Sequence, residues 1–118
     1  MSPLRRVAIT GIGLVTPVGN DAPSTWTNLL AGRSGTAPIE CFDARGFPAR
    51  IGAEIKKFDG ESIIPDRKLL KFASRSHRFA LAAGEQALRD AGIRPGPSTS
   101  CRWGFSVGAG MIDRKSVV

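Results

Sequence analysis

Tyrosine is missing from these 118 residues, histidine occurs once and cysteine twice. Two cysteines, Cys41 and Cys101, cannot build a disulfide framework, and neither lies in a C-x-x-C pair. Such usage fits a reduced, cytoplasmic setting. A lone histidine, His77, leaves no histidine pair for catalysis, and four ligands at metal-binding spacing cannot be assembled, so no metal is expected. No apolar run reaches the ~20 residues of a membrane helix. The longest, 7–19, is interrupted by Pro17, and although Arg5 and Arg6 before it imitate a secretory leader, no small-x-small cleavage site follows. A Walker-type G-K-[ST] is also absent. The dinucleotide pattern that could begin at Gly11 fails at Thr16, with Pro17 where a helix should be under way, so no nucleotide or other cofactor is expected.

Acids are absent from 67–84, a segment that holds Arg67, Lys68, Lys71, Arg75 and Arg78. Those cations supply most of the chain's formal +7, which points to an acidic partner rather than to general stickiness. If 67–78 is one helix, the steps 67, 71, 75 and 78 put four cations on one stripe and leave Phe72, Phe79 and Ala83 on another. An ordinary solvated helix face is the plain alternative. No aromatic interleaving and no helix-turn-helix, zinc or RNP signature accompanies the stripe, so nucleic acid is not the expected partner.

What is abundant is glycine, 14 residues, within a chain that is 42% hydrophobic. That composition excludes disorder and implies tight turns or closely packed backbones in one domain or part of one. The β-branched run at 5–13 predicts a strand entering a turn, and its nearly continuous apolar character suits a sheet covered on both faces. Asn20 or Asp21 caps a first helix, with Pro23 in its first turn, Trp26, Leu29 and Leu30 on one face, and Gly32 as its stop. From 33 to 60 the chain is loop-rich, with strand-like alternation only at 50–58. Ser74 caps a second helix with Phe79, Ala80, Ala83, Ala87 and Leu88 on its buried side and Gly92 at its end. A turn at Pro95, Gly96, Pro97 and Ser98 leads to a further strand over 102–107. The order is that of an α/β protein with right-handed crossovers. Two or three strands make a poor sheet, so the pattern is that of part of a larger body.

The run Val7-Ala8-Ile9-Thr10-Gly11-Ile12-Gly13-Leu14-Val15-Thr16-Pro17-Val18-Gly19-Asn20 resembles the V-x-[IV]-T-G-x-G-x-[VL]-[ST]-P-[VIL]-G opening of β-ketoacyl-acyl-carrier-protein synthases. The likeness continues through Trp26-Thr27-Asn28-Leu29-Leu30-Ala31-Gly32-Arg33-Ser34-Gly35, Phe42-Asp43, Ala87-Leu88-Arg89-Asp90-Ala91-Gly92-Ile93 and the strand leading to Gly108-Ala109-Gly110. It covers residues 5–110 of the single incomplete domain 1–118, and 111–118 depart from the pattern as a divergent tail.

The resemblance implies a partial thiolase-like α/β fold, the start of the first of two similar halves built as alternating helix and sheet layers, in a family that works as homodimers. It also implies a decarboxylating Claisen condensation, in which a cysteine accepts an acyl group from a carrier protein and a malonyl-carrier-protein carbanion attacks the thioester. The family's catalytic cysteine and two histidines lie further along than this chain reaches. No catalytic residue is therefore expected here, and the chain is expected to be a leading fragment, inactive and poorly stable alone. Cys41 and Cys101 stand outside any strand-to-helix elbow that would favour a thiolate, and Glu54 and Asp59 are expected to be solvated loop charges. Family members dock their acidic acyl carrier protein through basic side chains on the corresponding helix. The docking residues this implies are Lys68, Lys71 and Arg75, with Phe72 where some relatives have another cation. The alternative is a non-catalytic binding module for an acidic partner of that kind.

Overall fold

Asp21 begins the first helix, α1 (Ala22–Leu30), with an extended backbone and a carboxylate that accepts the Ser24 N–H at 2.7 Å. Pro23 occupies the first turn, where its missing N–H costs nothing. The helix closes at Ala31, followed by Gly32 at φ +65°, a left-handed conformation open to glycine. These features belong to a computed structural model of the chain that describes residues 4–61 and 67–108.

After α1 come two short strands, β1 (Thr36–Pro38) and β2 (Ile51–Ala53), paired antiparallel with Thr36 opposite Ala53 and Pro38 opposite Ile51. The alternation expected at 50–58 is thus real over three residues. A short helix, α2 (Arg67–Phe72), precedes the long α3 (Arg75–Asp90), and a 3-10 turn spans Pro97–Arg102. Ser74 caps α3 and Gly92, at φ +65°, follows its end. Phe79, Ala80, Ala83, Ala87 and Leu88 are half-buried, and Ala82 is the fully buried side chain of the helix.

The glycine turn lies against this alanine-rich helix. A Cβ at Gly11 would collide with the Ala87 carbonyl oxygen, and one at Gly13 with that of Ala83. Only glycine allows the chain to pass so close, which is the role the sequence offered for these residues in place of phosphate binding.

Three expectations need correction. No strand forms over 5–13 or over 103–108. Strand-forming side chains do not make a strand without a paired backbone, and among the described residues none pairs with these segments. The continuous basic helix is broken as well: Ala73 and Ser74 separate α2 from α3, because Ser74 caps a new helix instead of continuing the old one. Ala109, Gly110 and the tail 111–118 lie outside the described residues.

Apolar cover is thin. Val7 is 92% exposed, Ile9 85% and Phe105 67%, and Trp26, Leu29 and Leu30 on α1 are exposed too. The accessible surface is 10403 Å², whereas a compact monomer of this length exposes about 6,200 Å². The radius of gyration is 17.6 Å, against about 13.5 Å for a compact domain of this size. Helices and turns have formed, while the faces they would bury against another layer remain open.

Candidate functional site

The basic segment folds around the junction of α2 and α3. Lys68 and Lys71 are exposed on α2, and Phe72 beside them is exposed as well. Arg75 opens α3, with its guanidinium donating to the Ile55 carbonyl at 2.7 Å and lying 5.5 Å from the centre of the Phe79 ring. Phe79 in turn meets Phe58 edge to face, with centroids 4.9 Å apart. Arg75 is therefore tied to the loop after β2 while staying exposed, and its remaining N–H groups face solvent or a partner. Arg78 turns back along the helix, its Nε donating to the Ala73 carbonyl at 3.2 Å. The structure keeps Lys68, Lys71 and Arg75 close in the chain but distributes them over two helices, not one stripe.

His77 has a structural task at this junction. Its Nδ1 lies 2.8 Å from Ser74 Oγ and 3.3 Å from the Ser74 backbone nitrogen, and its own N–H reaches Ser74 Oγ at 3.4 Å. This is a capping box, in which two otherwise unpaired backbone donors at the helix start are satisfied reciprocally.

The cysteines are not set up as nucleophiles. Cys41 is exposed in the loop after β1, where hydrogen bonding to the Glu54 carboxylate pushes its thiol above the ordinary value. The Cys41 thiol first, and then the backbone N–H groups of Cys41 and Glu40, each 3.1 Å from a Glu54 carboxylate oxygen, hold the Glu54 carboxyl low. A raised thiol is the opposite of what thiolate chemistry needs. Cys101 is exposed in the 3-10 turn. Among the described residues no set of metal-ligating side chains is assembled.

The polar anchors of the glycine turn were not foreseen. Asp90 Oδ2 accepts the Ile12 N–H at 2.9 Å, and Gln86 Oε1 accepts the Leu14 N–H at 3.1 Å. The Gln86 amide nitrogen donates to the Asn20 carbonyl at 2.7 Å, and the Asn20 side chain donates to the carbonyls of Lys56 and Lys57. Residues four apart on a helix share a face, while alternate N–H groups of an extended chain share an edge, so Gln86 and Asp90 match 12 and 14. The signal available in the sequence was this pair of polar residues on an otherwise alanine-rich face. Thr16, Gly19 and the buried Thr25 close the turn onto α1 through bonds of 2.8–3.2 Å.

Comparison with known proteins places this arrangement in a family. The profile described as "Beta-ketoacyl synthase, N-terminal domain" matches residues 4–118, and the chain belongs to that family. It is 39% identical over 107 residues to 3-oxoacyl-[acyl-carrier-protein] synthase 2 of Coxiella burnetii, covering 91% of this chain and 26% of that protein. The tetracenomycin polyketide synthase ketoacyl synthase beta subunit of Streptomyces glaucescens is 42% identical over 95 residues, covering 80% of this chain and 23% of that one. A solved structure of the ishigamide ketosynthase/chain length factor superposes with a TM-score of 0.66 at 32% identity, over 73% of this chain and 21% of its own. The fold is thus a partial α/β fold of the thiolase-like kind, and the chain spans about a quarter of the length of the curated relatives it matches.

Proposed function

We propose that this chain forms the opening part of a 3-oxoacyl-acyl-carrier-protein synthase, lengthening fatty-acid or polyketide chains by decarboxylating condensation, and that the surface at the α2–α3 junction receives the acyl carrier protein. The observation that carries the reading is the family match along the chain together with exposed Lys68 and Lys71 in a segment free of acids. Complementary charge of this kind speeds encounter and orients partners. Arg75 adds its free N–H groups from a fixed position on α3. With one histidine in these 118 residues, the chain cannot itself supply a catalytic histidine pair, so condensation needs groups from elsewhere in a synthase body. Homodimerisation and a cytoplasmic setting belong to the same proposal. Among the described residues no helix is long and apolar enough to cross a membrane.

The docking test is the association of an acidic acyl carrier protein with the chain across salt concentrations. Lys68→Glu with Lys71→Glu is expected to slow association roughly 10-fold at low salt and to flatten the salt dependence. Unchanged association would remove the docking reading. Condensation is tested by a chimera in which residues 4–108 replace their counterpart in the Coxiella relative. An active chimera supports the synthase reading. A folded, carrier-binding but inactive chimera supports the non-catalytic module.

A further inference from the structure

The loop after β2 carries a strained residue with a visible cause. Lys57 stands at φ +55°, the one residue other than glycine at positive φ among the described residues. A Cβ makes that conformation unfavourable, and it persists where surrounding contacts dictate it. Here the contacts are two carbonyls on one amide. The Asn20 Nδ2 donates to the carbonyl of Lys56 at 3.1 Å and to that of Lys57 at 3.2 Å. Carbonyls only accept, so the amide presents its NH2 to both, and its two N–H groups match the two acceptors. Successive carbonyls of an extended chain point to opposite sides, so both reach one NH2 only where the chain turns. Lys57 is that turn.

The adjacent carbonyl, that of Ile55, accepts from Arg75 Nη2 at 2.7 Å. Three consecutive carbonyls are therefore taken up by two side chains, one just before α1 and one at the start of α3. The rest of the loop leans on α3 as well. Phe58 meets Phe79 edge to face, and a Cβ on the buried Gly60 would come within 2.9 Å of the Phe58 ring and 3.3 Å of the Arg78 side chain. Asn20 is itself fixed to the same helix, since its backbone carbonyl accepts from the Gln86 amide at 2.7 Å. Positions 75 and 86 lie about three turns apart on α3, so one rigid element is the base for both Arg75 and Asn20.

We propose that Asn20 is a positioning residue for Arg75. By holding Lys56 and Lys57 in the left-handed turn, it sets the Ile55 carbonyl where the guanidinium meets it and the Phe58 ring where it packs on Phe79. Without that hold Lys57 returns to negative φ, the Ile55 carbonyl shifts, and Arg75 swings free. The consequence for carrier binding, though not the hold itself, rests on the docking reading.

The test compares the whole chain with Asn20→Ala, Lys57→Val and Lys57→Gly, using NMR couplings that report the sign of φ at position 57, relaxation of the Arg75 Nε–H group, and far-UV circular dichroism. Asn20→Ala removes the donors but leaves the backbone carbonyl that Gln86 holds. Lys57→Val leaves Asn20 in place and brings a β-branched side chain that positive φ excludes. Both are expected to bring position 57 to negative φ and the Arg75 order parameter below about 0.6, with helix content unchanged. Lys57→Gly takes the turn without strain and is expected to keep Arg75 as rigid as in the native chain. A rigid Arg75 in Asn20→Ala and Lys57→Val, or one loosened as much by Lys57→Gly as by Lys57→Val, overturns the proposal. If Asn20→Ala loses helix, Lys57→Val decides. Carrier-protein affinity at constant salt separates the two readings: Asn20→Ala is expected to weaken it roughly 3-fold, and no further once Arg75→Ala is present. Losses that add in the double variant overturn the positioning role. If Arg75 loosens as expected but neither substitution changes affinity, the hold stands and the docking role of Arg75 falls.

Discussion

The glycine turn with α1 and α3 differs sharply from two stretches outside any helix or strand, 5–10 and 103–108. In the first region polar groups find partners within the chain: Asp90 and Gln86 accept from 12 and 14, Asn20 spans two loops, and Thr16, Gly19 and Thr25 bind one another. In the second, large apolar side chains such as Val7, Ile9 and Phe105 stand largely in solvent. Hydrogen bonds close over short reach, whereas apolar faces need a second layer. The difference teaches that in this chain polar groups are satisfied by partners within it, while the apolar faces are left without cover.

The comparison is broken most severely at Gly13. Gly13→Ala drives a methyl group into the Ala83 carbonyl, and a loss of about 3 kcal/mol is expected in urea unfolding followed by the helix signal. A tolerated alanine would show that the turn does not lie against α3. Gln86→Ala comes next, at about 1.5 kcal/mol, since Leu14 N–H and the Asn20 carbonyl both lose partners in a half-buried place. Ser74→Ala removes the α3 cap at a cost of about 1 kcal/mol, read from the same transition.

The smallest effect is at Asp21. Hydrogen bonds from Ser24, the backbone N–H first, hold its carboxyl below the ordinary range. A lowered folded value means that the contribution is fully present above about pH 4 and is lost as pH falls through that lowered value. Asp21→Asn keeps the cap without the titration, so its α1 helicity is expected to stay level below pH 4 while that of the native chain declines. Equal decline in both chains would place the acid sensitivity elsewhere.

Both principal helices were legible because their ends are written locally. Asp21, Pro23 and Gly32 bound α1 and Ser74 and Gly92 bound α3, each through bonds that span a few residues. The family was legible in the ordered opening from Val7 to Asn20, whose glycines record a close approach to α3. The strands at the ends were overread. Val7 and Ile9 carry strand chemistry, but a strand is a relation between two backbones, and the second is absent from the described residues. The basic stripe, offered only if 67–78 is one helix, fails at Ser74, which the sequence already marked as the start of a new helix. Gln86 and Asp90 escaped notice because their partners lie more than 70 residues away in the chain, and helical spacing alone does not say which backbone a polar pair will meet.

Amide hydrogen exchange on the isolated chain, read residue by residue, tests the central claim most directly. The account predicts slowed exchange at 12, 14, 16 and 19 and through the middle of α3, with near-unprotected rates at 5–10 and 104–108. Equal protection along the whole chain, or free exchange at 12 and 14, would contradict it.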